Sequence, residues 1–120
     1  MTSAKYRGEL AKNHLLSRAQ GIDAVIARYK LDALVAPTGG PAWTIDLVNG
    51  DGGTATAPGP STVTSVAGYP HITVPMGQVH GLPVGISFVG PAFSEPKLIG
   101  IAYAYEQASH ARRPPHLPTH

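Results

Sequence analysis

Apolar residues recur at three- and four-residue steps through the first part of the chain: Tyr6, Leu10, Leu15, Ala19, Ile22, Ile26 and Tyr29. Lys5, Lys12, Arg18 and Arg28 fall largely outside that stripe, which predicts an amphipathic helical region over 4–30. The region reads as one helix or, with Gly21 before Ile22 and Asp23 as a C-terminal stop, as a pair. The run Leu31-Asp32-Ala33-Leu34-Val35-Ala36 predicts a short buried strand over 31–36, stopped by Pro37. Residues 37–60 are crowded with glycine and proline and read as one long irregular loop. A segment of that length inside a compact domain is usually a functional loop, a surface wrapping another part of the protein, or a disordered linker. Ser61 to Ala67 predicts one or two helical turns ending at Gly68.

The pattern changes period beyond that point. His71-Ile72-Thr73-Val74 and Val84-Gly85-Ile86-Ser87-Phe88-Val89 are rich in β-branched residues and predict an antiparallel hairpin over 71–90. Ser94 as N-cap, with Glu95 and Pro96 in the first turn, opens a helix over 95–109. Its apolar side is Leu98, Ile101, Ala102, Tyr105 and Ala108. The proline-containing tail 112–120 is expected to fray. Helices and strands in this order give an α/β fold class, a sheet with flanking helices.

Composition narrows the function. The 120 residues contain no cysteine, which removes disulfides, thiolate metal sites and a cysteine nucleophile. No apolar run approaches a membrane span, and the opening residues are not those of a signal peptide. The net charge of +2 comes from basic ends. No basic face with interleaved aromatics appears, which sets nucleic acid aside as a partner. Between Leu31 and Pro96 the only charged residues are Asp32, Asp46, Asp51 and Glu95. A free-standing domain spreads both signs over its surface. A middle this bare is expected to be covered by the chain's ends, by a partner or by a second copy.

Candidate chemistry is sparse. Gly85-Ile86-Ser87-Phe88-Val89-Gly90 has one residue too many for a nucleophile elbow, and Ser87 reads as a strand side chain. Gly50-Asp51-Gly52-Gly53-Thr54-Ala55 matches a dinucleotide fingerprint formally, but Pro58 and Pro60 follow where a helix is needed. Among the six histidines, only His116 and His120 have helical ligand spacing, and they lie in the tail. His71 and His80 bracket the hairpin without an acidic partner. No metal or cofactor is therefore expected. Asp46 and Asp51 share the long loop with Trp43, a packing anchor that could also face a ligand. No nucleophile–base pair emerges.

A collinear series of motifs is more specific. Leu31-Asp32-Ala33-Leu34-Val35-Ala36-Pro37-Thr38, Pro41-Ala42-Trp43 and Ala67-Gly68-Tyr69-Pro70-His71-Ile72-Thr73-Val74-Pro75-Met76-Gly77 follow one another. Gly81-Leu82-Pro83-Val84-Gly85-Ile86-Ser87-Phe88-Val89-Gly90 and Ala102-Tyr103-Ala104-Tyr105-Glu106-Gln107-Ala108 continue the series. Together they resemble the C-terminal region of the amidase signature family, closest in look to its bacterial peptide-amidase and enantioselective-amidase members. The resemblance covers about residues 6–115. It implies a mixed sheet flanked by helices and hydrolysis of carboxylic amides without a cofactor. Family members use a serine nucleophile, a second serine and a lysine proton shuttle, with backbone donors in an oxyanion hole.

Those groups lie N-terminal to the matched region, so the resemblance brings no catalytic residue onto this chain. It implies a single C-terminal segment of an amidase-like domain over 1–120, inactive alone. Its expected partners are the missing N-terminal region or, through the bare middle, a second copy. A small amide would bind only in the complete enzyme. The 40–66 region is expected to shape the substrate pocket, with Trp43, Asp46 and Ser61 as candidate substrate-binding residues. Pro58 stands about where the glutaminase-type chains of transamidases carry a substrate-recognising acid, which separates this chain from that subclass. The expected compartment is the cytoplasm. The alternative is a non-catalytic binding or assembly module.

Overall fold

A computed structural model describes residues 3–50 and 59–115. Helix α1 (Ala4–Ser17) starts where the Ser3 hydroxyl accepts the Tyr6 N–H at 3.2 Å, a side-chain N-cap. A π-helical segment, Arg18–Ile22, kinks at Gly21 and leads into α2 (Asp23–Tyr29). The expected division of the helical region thus falls at Gly21, as a kink. Lys30 closes α2 in the left-handed conformation, with φ at 51°.

Strand β1 (Leu34–Pro37) begins three residues later than the pattern predicts. Leu31 is still tied to α2, its N–H bonded to the Ile26 carbonyl at 3.0 Å. The short helix α3 (Ser61–Ala67) is closed by Gly68. Strands β2 (His71–Val79) and β3 (Leu82–Val89) then form the hairpin. The sheet order is β1-β3-β2, and both pairings are antiparallel. Among the described residues, these three strands carry no parallel pair of the kind a mixed sheet contains.

The hairpin departs from its sequence reading. Strand runs at 71–74 and 84–89 leave nine residues between them, with Gly77, Gly81 and Pro83 as breakers, yet the turn is only His80-Gly81. Both turn residues have positive φ, 51° and 81°, which suits the right-handed twist of the flanking strands. A bulge between Pro75 and Gly77 lets the strand pass its own breakers, and β2 lies at the sheet edge where proline is tolerated. His71 and His80 consequently stand at opposite ends of β2, about 30 Å apart at the usual strand rise. They do not form a pair.

Helix α4 (Glu95–Ser109) covers one sheet face. Phe88, Leu98 and Ala102 are buried there, with Ile72, Val74, Ile86 and Tyr105 packed around them. Phe88 meets Tyr105 edge-on, with ring centroids 5.8 Å apart. Ser94 occupies the N-cap position, but its hydroxyl donates backward to the Pro91 carbonyl at 2.7 Å and does not cap. The opposite face carries a smaller cluster of Ile22, Ala67 and Val89, flanked by Ile26, Leu34 and Tyr69.

Arg18 joins the layers. Its Nε donates to the Ala67 carbonyl at 2.6 Å, and its guanidinium stacks over Tyr69 at 5.5 Å. The Tyr69 hydroxyl donates to Asp23 Oδ2 at 2.7 Å; burial, then the Asp23 bond, pushes the phenol's pKa above its ordinary value.

Much apolar surface stays uncovered. The stripe on α1 is exposed, with Tyr6 at 43% and Leu15 at 49%. Leu47, Val48 and Phe93 exceed 90% exposure. The accessible area is 9004 Å², where a compact monomer of this size exposes about 6200 Å². The radius of gyration is 17.7 Å against about 13.5 Å for a compact chain of this length. Among the described residues no helix is long and apolar enough to cross a membrane.

Candidate functional site

The chain leaves β1 at Pro37 and immediately lines a groove of about 1010 Å³. Leu16 on α1, Val63 and Val66 on α3, and Ala36, Pro37 and Gly40 form its mostly apolar walls. None of the residues that line it is charged.

The three residues singled out from sequence sit along this path in different ways. Ser61 opens α3 and is exposed, between Pro60 and Thr62, which both line the groove. Its carbonyl accepts the Thr64 hydroxyl at 3.0 Å. Trp43 lies on the irregular stretch beyond Gly40, 49% exposed. Asp46 builds a turn. Its Oδ1 accepts the N–H groups of Val48 and Asn49, each at 2.9 Å, and its Oδ2 accepts Asn49 Nδ2 at 3.0 Å. These bonds, led by the Asn49 N–H, hold its carboxyl below the ordinary aspartate range. Asp51 and the glycine motif around it lie outside the described residues, apart from Gly50, as do His116 and His120.

Because the folded carboxyl titrates lower than the unfolded one, the turn gains stability above the unfolded aspartate pKa of about 3.9. That gain disappears as the pH falls through the folded value. Amide hydrogen exchange of Val48 and Asn49 is therefore expected to accelerate, relative to Gly39, as the pH falls from about 3.9, the unfolded aspartate value, through the lower folded one. In Asp46→Asn the acid-dependent part of that acceleration should vanish.

A polar cluster on the sheet joins residues that the sequence motifs contain but do not bring together. Ser87 is completely enclosed, and its Oγ lies 2.7 Å from Thr38 Oγ1, 2.7 Å from His71 Nε2 and 3.0 Å from Thr73 Oγ1. A hydroxyl donates once and accepts twice, so these three bonds use its full capacity. The reading of Ser87 as a strand side chain agrees with its place in β3. The available signal was the two-residue spacing of His71 and Thr73, which puts them on one strand face. No motif announces that Ser87 and Thr38 meet them there. Among the described residues no group of histidines and acids converges as a metal site would.

The family model for amidases matches residues 1–99. The chain belongs to the amidase family. A probable amidase of Arabidopsis thaliana is 45% identical over 112 residues, covering 92% of this chain and 18% of the relative. The solved structure of the native peptide amidase from Stenotrophomonas maltophilia superposes with a TM-score of 0.85 at 48% identity. That match covers 98% of this chain and 23% of the longer one. A glutamyl-tRNA(Gln) amidotransferase subunit of Pseudomonas putida is 32% identical, over 88% of this chain and 21% of its own length. The chain thus spans about a fifth of the length of the curated amidase relatives it matches.

Proposed function

We propose that this chain is the C-terminal part of an amide hydrolase, supplying a wall of the substrate pocket and leaving the reacting groups to the rest of the enzyme. The observation that carries the reading is the apolar surface left uncovered by a chain about a fifth the length of its amidase relatives. The exposed stripe of α1 and the uncharged groove are surfaces that a larger body would cover. The enclosed Ser87 supports the same reading, since its Oγ is spent on three internal bonds and has no open approach for an acyl group. Trp43, Asp46 and Ser61 are the proposed substrate-facing residues, with Asp46 acting by shaping the loop. The bond broken in the complete enzyme is the C–N bond of a carboxamide, giving carboxylate and ammonia or amine.

The test is fragment complementation. The Stenotrophomonas peptide amidase is prepared without the part that this chain matches, about a quarter of its length, and mixed with the purified chain. Release of ammonia from a peptide carboxamide is expected only in the mixture. Turnover by the chain alone that scales with its concentration and survives repurification would overturn the reading.

A second reading, an assembly module that self-associates, draws on the same exposed apolar residues, Ile45, Leu47, Val48 and Phe93 above all. Light scattering separates the two. A concentration-dependent dimer that stays inert with the amidase fragment favours assembly.

A further inference from the structure

The irregular segment that leaves β1 is gripped where it starts. The Thr38 N–H donates to the Gly85 carbonyl at 2.8 Å, and Thr38 Oγ1 meets Ser87 Oγ at 2.7 Å. Two glycines make this approach possible. A Cβ on Gly85 would lie 2.8 Å from both Thr38 Oγ1 and Thr73 Cγ2. A Cβ on Gly59 would collide with the Thr38 carbonyl oxygen. Gly59 immediately precedes the turn into α3, so the chain returns to the point from which it departed. Thr38 is therefore a neck, bonded to the sheet below and closely approached by the returning backbone at Gly59.

What lies under the neck is polar at a position where the neighbouring Phe88 and Val89 are apolar. A buried hydroxyl costs stability unless it is fully partnered, and a fully partnered network fixes one arrangement. Ser87 draws its partners from three places: the exit of β1 at Thr38, and His71 and Thr73 on β2. Thr38 also lies 3.4 Å from Thr73 Oγ1, which closes the lattice on itself.

We propose that Thr38 and Ser87 are positioning residues, which fix the neck and thereby the placement of residues 39–50 at the amide pocket. The pocket assignment rests on the proposed function; the fixing of the neck does not. Thr38→Val keeps the side-chain volume and removes the hydroxyl. Thr38→Ser keeps the hydroxyl.

The first readout is nuclear magnetic resonance of the nitrogen-15-labelled chain. In Thr38→Val the amide signals of Gly39 and Gly40, the Trp43 indole and the His71 ring nitrogens are expected to move, and exchange of the residue-38 amide to rise at least tenfold. The amides of Leu98 and Ala102 should stay in place, reporting an intact fold. Thr38→Ser should restore all of these signals. Ser87→Cys, which keeps the volume but bonds weakly, should move the same signals in the same direction. Gly39, Gly40 and Trp43 unmoved in both disruptive variants overturn the neck.

The second readout uses the complemented amidase. Thr38→Val is expected to raise KM for a peptide carboxamide at least fivefold with kcat within twofold, and Thr38→Ser to restore it. A fall in kcat at unchanged KM overturns the positioning role. Absence of activity in the unsubstituted mixture counts against the proposed function, while the resonance readout still decides the neck.

Discussion

Leu98→Ala is expected to destabilise the chain by about 2–5 kcal/mol, the range for emptying a buried leucine site. Leu98 is 1% exposed and, among the described residues, the largest side chain that is fully enclosed. With Ala102 of the same helix, it seats α4 on the sheet against Phe88. The chain has few buried side chains to share that load, and domains are stable by only about 5–15 kcal/mol. Far-UV circular dichroism in urea should show the midpoint fall sharply, to the point of losing the folded baseline. Ile99 on the same helix is 59% exposed, and Ile99→Ala should stay within about 0.5 kcal/mol of the parent. Equal losses at both positions would mean that α4 is not seated as described.

Arg18→Met should produce the second large effect. The methionine preserves most of the apolar stem but cannot donate to the Ala67 carbonyl or stack a cation on Tyr69. Ala67 is completely enclosed, so its carbonyl would lose its donor in a place water does not easily reach. An orphaned buried acceptor costs about 1–3 kcal/mol. Beyond the fall in urea midpoint, Tyr69 should lose its neighbour, and the Tyr69–Asp23 contact should loosen with it. Arg18→Lys is expected to recover only part of the loss, because a lysine lacks the planar group that donates sideways while stacking. Full recovery by lysine would show that charge alone matters there.

Sequence and structure agree best where neighbours decide conformation. Glu95-Pro96 behind Ser94 marks the start of α4, and the helix runs over the residues its pattern indicates. Gly21 bends the N-terminal helical region and Gly68 ends α3, both through local backbone geometry. Agreement fails where tertiary placement overrules local preference. Pro75 and Gly77 look like a connection, and only the edge position of β2 and its bulge make them a strand. The stripe on α1 is patterned for burial but has little to pack against in this chain. At the candidate site, the loop is visible from its composition. The Ser87 lattice is not, because it depends on the register that brings Thr38 to a residue 49 positions away. Asp46 is visible as an acid in a loop, but its role as the hub of a turn comes from three hydrogen bonds.

The return of the backbone at Gly59 to Thr38 has an evolutionary consequence. When the two ends of a surface segment are clasped together by the scaffold, the segment between them can be rewritten without renegotiating the fold. Doubling the length of such a closed loop costs only about 0.6 kcal/mol in chain entropy. Substitutions and insertions around residues 42–50 can therefore be sampled cheaply, whereas changes at Thr38, Gly59, Gly85 or Ser87 disturb the clasp itself. If residues 39–50 face the substrate as proposed, exchanging the loop changes what the complete enzyme accepts while the same sheet stays beneath.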